Sequence, residues 1–470
     1  MSNDQTTSSK TGTNNNSVYS IIKQALSGEH RDYTTGSIRR AVIFLSIPMI
    51  LEMCMESVFA VVDIFFVGHI GKEAVATVGL TESVLFLVYS LAMGLSMAAT
   101  ALVARRTGEK DPEGAAHSAA QAVNLALGVT VVVSLAGVLL APDILRVMGG
   151  SPATVATGAI YTRIVFGGSI VIMLLYLING IFRGAGNASM AMWSLWIANG
   201  CNILLCPLLI HFFGLKGAAI ATTIGRGIGV IYQLYHLFRG KKGTIRITRK
   251  SFTPDVPLLK SLTKIAWTGT TQFLIGSASL IVMVRIIAQF GDAAIAGYQV
   301  ALRIFLFFLL PAWGMSNAGA TLVGQNLGAK RPDRAEQSVW TAARYNAIFM
   351  MVVTVLFLFG SDVIVAFMNK DPDVGKVAVQ MLRVISLGYI IYGVGMVLTN
   401  AFNGAGDTRT PTYINLFCFW AFQIPLAYVL SVALGLGPLG VFMAIPITEV
   451  AVLASSYLLF RKGAWKKVKI

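Results

Sequence analysis

The sequence predicts an all-α polytopic membrane protein: twelve transmembrane helices in two six-helix bundles related by a pseudo-two-fold axis along the membrane normal. Three observations carry this. The 470 residues are 55% hydrophobic and only 12% charged, with a mean hydropathy of +0.70, too apolar for a soluble chain. Apolar runs long enough to cross a bilayer recur from residue 41 to residue 460. The chain also repeats itself at an offset of 220 residues.

In order, residues 1–37 form a polar tail rich in Ser, Thr and Asn. It lacks the short apolar stretch and small-residue cleavage site of a signal peptide, so it is expected in the cytosol, disordered or as a short surface helix. Spans follow near 41–66, 74–104, 117–141, 155–182, 188–212 and 217–238, an N-terminal bundle of residues 38–238. A basic linker, 239–261, leads to spans near 262–290, 294–326, 337–368, 374–402, 411–435 and 438–460, a C-terminal bundle of residues 262–460. A basic tail, 461–470, ends the chain. Each run reaches the ~20 residues a helix needs to cross hydrocarbon, and the runs are continuously apolar rather than alternating, which argues against a barrel.

The net charge of +16 is distributed by topology. With the N-terminus inside, the 37 Lys and Arg residues divide into 26 on the cytoplasmic side, 5 outside and 6 within spans, which places both termini in the cytosol; the membrane expected is a bacterial-type inner membrane. The basic linker is then a topology determinant beside anionic headgroups, not a nucleic-acid site. Cys54, Cys201, Cys206 and Cys418 all lie in apolar segments, without disulfide or zinc spacing.

Continued without a gap from Gly71 and Gly291, 13 of 45 positions match, among them Gly94 with Gly314, Ser96 with Ser316, Gly108 with Gly328 and Pro112 with Pro332. FRGAG from Phe182 aligns with FNGAG from Phe402 at the same offset. An even number of spans per repeat gives both halves the same orientation, as in one class of secondary transporter, with a cleft at their interface. There is no phosphate-binding loop of the G-x-x-x-x-G-K-[ST] type, so no ATP motor and no cofactor are expected; an ion gradient is left to drive transport.

A carboxylate at mid-bilayer costs about 2.5–3.5 kcal/mol, so intramembrane acids are candidates for function. The first span holds Glu52, Glu56 and Asp63, whose spacings of 4 and 7 place them on one helical stripe, a face expected to line a wet cavity. Asp63 is the leading ion-coupling candidate. Glu82 and Glu449 are assigned to bracing or gating, and Arg163, Arg226, Arg285, Arg303 and Arg344 can pair with acids as static braces. Spans 262–290 and 374–402 carry no carboxylate in their apolar cores, so the coupling site is expected in the first half. Methionines, 18 in all, and aromatics such as Trp193, Trp196, Trp313 and Tyr298 can form an adaptable wall for varied ligands, or pack against lipid and core.

The stretch from Pro48 through VVDIFFVG to Gly68, ATLVGQNLGA ending at Ala329, and the paired FRGAGN and FNGAGD motifs resemble the multidrug and toxic compound extrusion (MATE) transporter family over about residues 38–460. The resemblance implies two six-helix bundles around a V-shaped cavity, and export of organic, often cationic, compounds in exchange for protons or sodium. It places the first-helix acid, fifteen residues after its proline, on Asp63. It places the fifth-helix Asn and acid on Asn202 and Cys206, the sixth-helix threonine on Thr222, and a fourth-helix asparagine on Asn179. Cys206 replaces an expected carboxylate with a neutral thiol; Glu56 can compensate. Sodium prefers hard oxygen ligands, so proton coupling is favoured over a sodium ion at Asp63, Asn202 and Thr222. The acids of another branch's ion site are missing, their nearest positions being Gly276 and Tyr392. Glu52, Glu82, Cys206, Tyr298 and Gln299 are substrate-cavity candidates.

The function expected is a cation-coupled antiporter, working as a monomer, that exports amphipathic organic compounds by alternating access. The alternative is a lipid-linked saccharide flippase of the same broader superfamily, which would need a strongly cationic lumen. An enzyme is not expected: His30, His69, His117, His211 and His236 lie in the tail or near span ends, with no metal or triad spacing.

Overall fold

The computed structural model describes residues 18–28, 31–240 and 245–470; most of the polar tail, His30 and part of the basic linker lie outside the described residues. After a short helix α1 (Val18–Leu26), the first half comprises α2 (Ile38–Gly68), α3 (Lys72–Gly108), α4 (Pro112–Leu139), α5 (Ala141–Val147), α6 (Pro152–Gly167), α7 (Ser169–Gly184), α8 (Ala188–Phe213) and α9 (Leu215–Arg239). The second comprises α10 (Val256–Ile287), α11 (Asp292–Gly328), α12 (Pro332–Met368), α13 (Pro372–Ser386), α14 (Tyr389–Ala405), α15 (Arg409–Asn415), α16 (Ile424–Tyr428) and α17 (Pro438–Arg461). Segments of π-helix, Leu416–Gln423 and Val429–Ala433, join α15 and α16 into one span.

Among the described residues nine helical segments are long and apolar enough to cross a membrane, and a bent pair makes ten. Helices α2 and α9, 31 and 25 residues long, carry interior charges and stand outside that number. Several helices begin with a capping side chain followed by proline, whose missing N–H costs nothing in the first turn. Asp111 accepts from Gly114 N at 2.8 Å, Ser151 from Thr154 N at 3.2 Å, and Asp371 from Asp373 N at 2.9 Å. Asp255 caps α10 through Leu258 N at 3.1 Å; that backbone donor, and His117 beside it, hold its carboxyl below the usual range.

The fourth and tenth spans, read from the sequence as continuous, are interrupted at equivalent places, the fourth at a single residue that leaves Pro152–Gly184 one span and the tenth at a bend. The first interruption lies between α6 and α7 at Gly168, the second between α13 and α14 at Gly388, with a bend of 58° in the latter. Both glycines admit a neighbour too close for a Cβ: the side chain of Thr223 would stand 2.8 Å from one, and Pro446 2.6 Å from the other.

The repeat is visible as an exchange of helices. Val42, Leu45 and Met49 of α2 belong to a core built mostly from α11, α12 and α14, whereas Leu262, Ile265 and Ala266 of α10 belong to the core of the first half. Gly314 lies against the Met49 carbonyl and Gly94 against the Ala266 carbonyl, so each crossing helix is received by a glycine of the same repeat position.

Direct hydrogen bonds between the two bundles, among the described residues, lie at the end that carries the termini. Arg105 donates to Ala405 O at 3.3 Å and to Val468 O of the C-terminal tail at 3.0 Å, and Gln325 donates to Gly184 O at 2.9 Å. Arg334 gathers the carbonyls of Tyr33, Thr35 and Gly36 at 3.2, 2.7 and 2.9 Å, and Arg331 takes Thr34 O at 2.8 Å. Cutting Arg334 to alanine therefore releases the segment leading into α2. Charge-assisted bonds are worth about 1.5–3 kcal/mol each before solvent competes for them. The expected outcome is faster amide hydrogen exchange through residues 33–41 with unchanged exchange in α8, read by mass spectrometry.

Candidate functional site

The first-span acids project from α2 into the first half, and two of them are met by partners from distant helices. Glu52, 1% exposed, accepts at Oε1 from Asn179 Nδ2 at 3.0 Å and from Arg183 Nη1 at 3.4 Å. Asn179 in turn accepts from Ser194 Oγ at 2.8 Å and Gln233 Nε2 at 2.7 Å, and Arg183 also reaches Ser96 Oγ at 3.1 Å. Both donors come from α7, and side chains of α3, α8 and α9 hold those donors in place.

One turn further, Glu56 accepts at Oε1 from Tyr176 Oη at 2.7 Å and Arg226 Nη2 at 3.3 Å, and at Oε2 from Asn199 Nδ2 at 3.1 Å. Arg226 is 1% exposed and lies over the rings of Phe59, Tyr89 and Tyr176 at 5.1, 5.6 and 5.8 Å. Aromatic faces and one carboxylate replace the water that a guanidinium would otherwise keep.

Asp63 is different. It is half-buried, within electrostatic reach of Arg226, Glu82 and Cys206, yet makes no hydrogen bond or ion pair among the described residues, and its Oδ1 is buried without a partner. Cys206 is fully buried. Asn202 donates through Nδ2 to Thr222 Oγ1 at 3.0 Å, and Thr222 donates to Ala218 O at 3.1 Å. Glu82 is exposed.

Of the five arginines read as possible braces, Arg226 alone bonds a first-span acid. Arg163, Arg285, Arg303 and Arg344 are exposed and have no ion-pair partner among the described residues. The brace on Glu52 is Arg183, which the sequence reading left just beyond the fourth span. Helix α7 runs on to Gly184, two residues past the end read from the sequence, and so holds Arg183 within the helix, where its guanidinium meets Glu52.

A cavity of about 420 Å³ lies between the halves. From the first half it is lined by Met53, Glu56, Met93, Ser96, Met97, Thr100, Tyr176 and Arg183. Most of its wall comes from the second half, including Phe273, Tyr298, Phe305, Trp313, Tyr389, Tyr392, Phe419, Gln423 and Glu449. Gly276 and Tyr392, the positions of the missing acids, both line it. Of the sequence candidates Glu56 and Tyr298 reach it; Glu52, Asp63, Glu82, Asn179, Asn202, Cys206, Thr222 and Gln299 stand outside its wall. Trp313 stacks on Phe273 with ring centroids 5.4 Å apart, whereas Trp193 and Trp196 are exposed and turn their indole N–H groups to Leu26 O and Leu51 O. Of the cavity's polar groups on α14 and α17, the sequence marked Asn403 within the FNGAG motif, Tyr392 as the position of a missing acid, and Glu449 as an intramembrane charge.

Two duplicated six-span halves around a cavity closed at one end define a polytopic membrane transporter. A profile of the MatE family matches residues 48–208 and 270–429, and the chain belongs to that family. It is therefore a transporter and not an enzyme. It is similar to the probable multidrug resistance protein YoeA of Bacillus subtilis (strain 168), 26% identical over 447 residues, spanning 92% of this chain and 96% of that one. It is also similar to the probable multidrug resistance protein NorM of Thermotoga maritima, 23% identical over 456 residues, 96% of this chain and 97% of that one. Among solved structures, the outward-facing conformation of a multidrug resistance MATE family transporter of the MOP superfamily superposes with a TM-score of 0.88. That pair is 25% identical and covers 93% of this chain and 98% of the other.

Proposed function

We propose that this protein is a cation-coupled antiporter that exports amphipathic, often cationic, organic compounds across a bacterial inner membrane, with both termini in the cytosol, as a monomer. Asp63 is the coupling acid, and Glu56 and Glu52 are braces. The single observation that carries this reading is the contrast on one helical stripe: Glu52 and Glu56 each have an arginine and further donors, whereas Asp63 has none. An acid without a resident partner is free to exchange a cation. The relatives named for multidrug resistance and multidrug export support the substrate class.

Proton is favoured over sodium. Asn202 and Thr222 are hydrogen-bonded to one another, Cys206 offers sulfur rather than oxygen, and among the described residues no three His, Cys, Asp or Glu side chains are grouped to hold a metal ion. The closure at the termini-bearing end supports an outward-open state, with rocking of the halves about the crossing of α2 and α10 giving the other state. Binding of the cation at Asp63 and of the organic compound in the cavity then oppose one another through the equilibrium between the two states, a coupling of about 1–3 kcal/mol in systems of this kind. The cavity wall holds one arginine against two carboxylates, which does not favour an anionic lipid-linked saccharide.

Asp63→Asn in proteoliposomes is expected to cut dye export driven by an imposed pH gradient by about 10-fold or more, at equal protein incorporation. A sodium gradient imposed alone drives little export in the parent. Parent-level export by Asp63→Asn rejects the assignment.

A further inference from the structure

The second half holds a group that the coupling scheme leaves unused. Glu449 on α17 is 6% exposed, lines the cavity, and makes no hydrogen bond or ion pair with any described residue. Tyr392 and Cys418 are in its electrostatic surroundings, and no lysine, arginine or histidine compensates it. Buried polar atoms of the same wall are orphans as well: the hydroxyls of Tyr298 and Tyr389, 0% and 2% exposed, have no partner, and neither do Gln272 Oε1, Thr321 Oγ1 and Asn403 Oδ1. Buried polar atoms are almost always satisfied, so orphans gathered on one wall beside a carboxylate with no partner point to a ligand that satisfies them.

Charge, shape and size restrict that ligand. The arginine and the other carboxylate of the cavity are already engaged, Arg183 with Glu52 and Glu56 with Arg226, so the uncompensated charge of the chamber is that of Glu449. A cation is therefore favoured. The surrounding wall is aromatic, with Phe305 packed against Tyr389 and Tyr392 at 5.5 and 6.2 Å, and the volume of about 420 Å³ is in the range of drug-sized ligand pockets. A bare inorganic ion, comparable to one water of ~30 Å³, would leave most of this apolar space unfilled.

We propose that the second-half end of the cavity is an organic-cation site, in which Glu449 anchors the positive charge, the hydroxyls of Tyr298 and Tyr389 meet polar substituents, and the rings of Phe305, Tyr392 and Trp313 enclose the apolar body. This deepens the exporter reading, on which it rests. It separates the passenger's anchor, in the second half, from the coupling acid Asp63, in the first. Ring faces add cation–π attraction to the carboxylate, so permanently charged aromatic cations fit best.

The test is equilibrium binding of radiolabelled tetraphenylphosphonium to the full-length protein in nanodiscs, with no gradient imposed. It thus reads the site even if gradient-driven export fails. Glu449→Gln, near-isosteric, is expected to raise Kd about 10-fold or more. Asp362→Asn, which removes a surface carboxylate paired with Arg383, is expected to leave Kd unchanged. A second variant guards against misfolding: Phe305→Leu keeps the charge, loses a ring, and is expected to weaken the probe severalfold while remaining monodisperse. Unchanged Kd in folded Glu449→Gln overturns the proposal. So does a Glu449→Gln protein that binds the probe normally but loses the parent's proton or sodium dependence of binding, which would make Glu449 a driving-ion site instead.

Discussion

Glu56→Ala is expected to destabilise the protein by about 3–5 kcal/mol, the cost of removing one partner from a buried ion pair. Arg226 is 1% exposed, its Nε and Nη1 already lack acceptors, and its Nη2 donates to Glu56 at 3.3 Å. Without that carboxylate a guanidinium remains among Phe59, Tyr89 and Tyr176, whose ring faces supply only part of the lost attraction. Tyr176 and Asn199 lose their acceptor at the same time. A melting midpoint several degrees below the parent, with lower monodisperse yield, is the result to look for. Glu56→Ala with Arg226→Met should recover most of the loss, because neutral packing replaces the stranded charge. If the single variant melts with the parent, the pair does not brace the first half.

The twelve spans and the repeat were legible because hydrocarbon thickness and a 220-residue offset are written along the chain. The stripe of Glu52, Glu56 and Asp63 was legible for the same reason, since helical spacing is local. What separates these three acids was not. The partners of Glu56 stand 120 to 170 residues away, and those of Glu52 about as far, so which acid is satisfied depends on how α7, α8 and α9 pack around α2. Arg183 escaped notice because the end of α7 was placed at residue 182, two residues short, and a shift of that size turns an interior brace into a loop cation. The interruption at Gly168 and the bend at Gly388 were hidden because both segments remain apolar through them. Glu449 was visible as an intramembrane charge, but its isolation follows from neighbours on α11 and α14 that no local pattern associates with it.

Placing valine at both Gly108 and Gly328 is expected to force open the end of the molecule that is closed here. An ideal Cβ on Gly108 would stand 1.9 Å from Gln325 O, and one on Gly328 would stand 2.1 Å from Arg105 O. Positions 105 and 325 are themselves separated by the repeat offset, so the ends of α3 and α11 cross as mutual images. The obstructing atoms are backbone, which cannot swing aside as a side chain can, so the helix ends must separate by about 1 Å or more to relieve the overlap. Overpacking of this kind costs about 1–3 kcal/mol per site, and about 1.4 kcal/mol changes a population ratio tenfold. If the halves rock, the strain is present in the state seen here and released in the opposite one, so the equilibrium moves toward it. Spin labels at Glu113 and Asp333, exposed positions also related by the repeat, report the separation once the four native cysteines are replaced. A longer and broader distance distribution, with dye export slowed by about 10-fold or more, is the expected outcome. Distances that match the parent would mean the crossing yields elsewhere, and that this end of the molecule is not the moving gate.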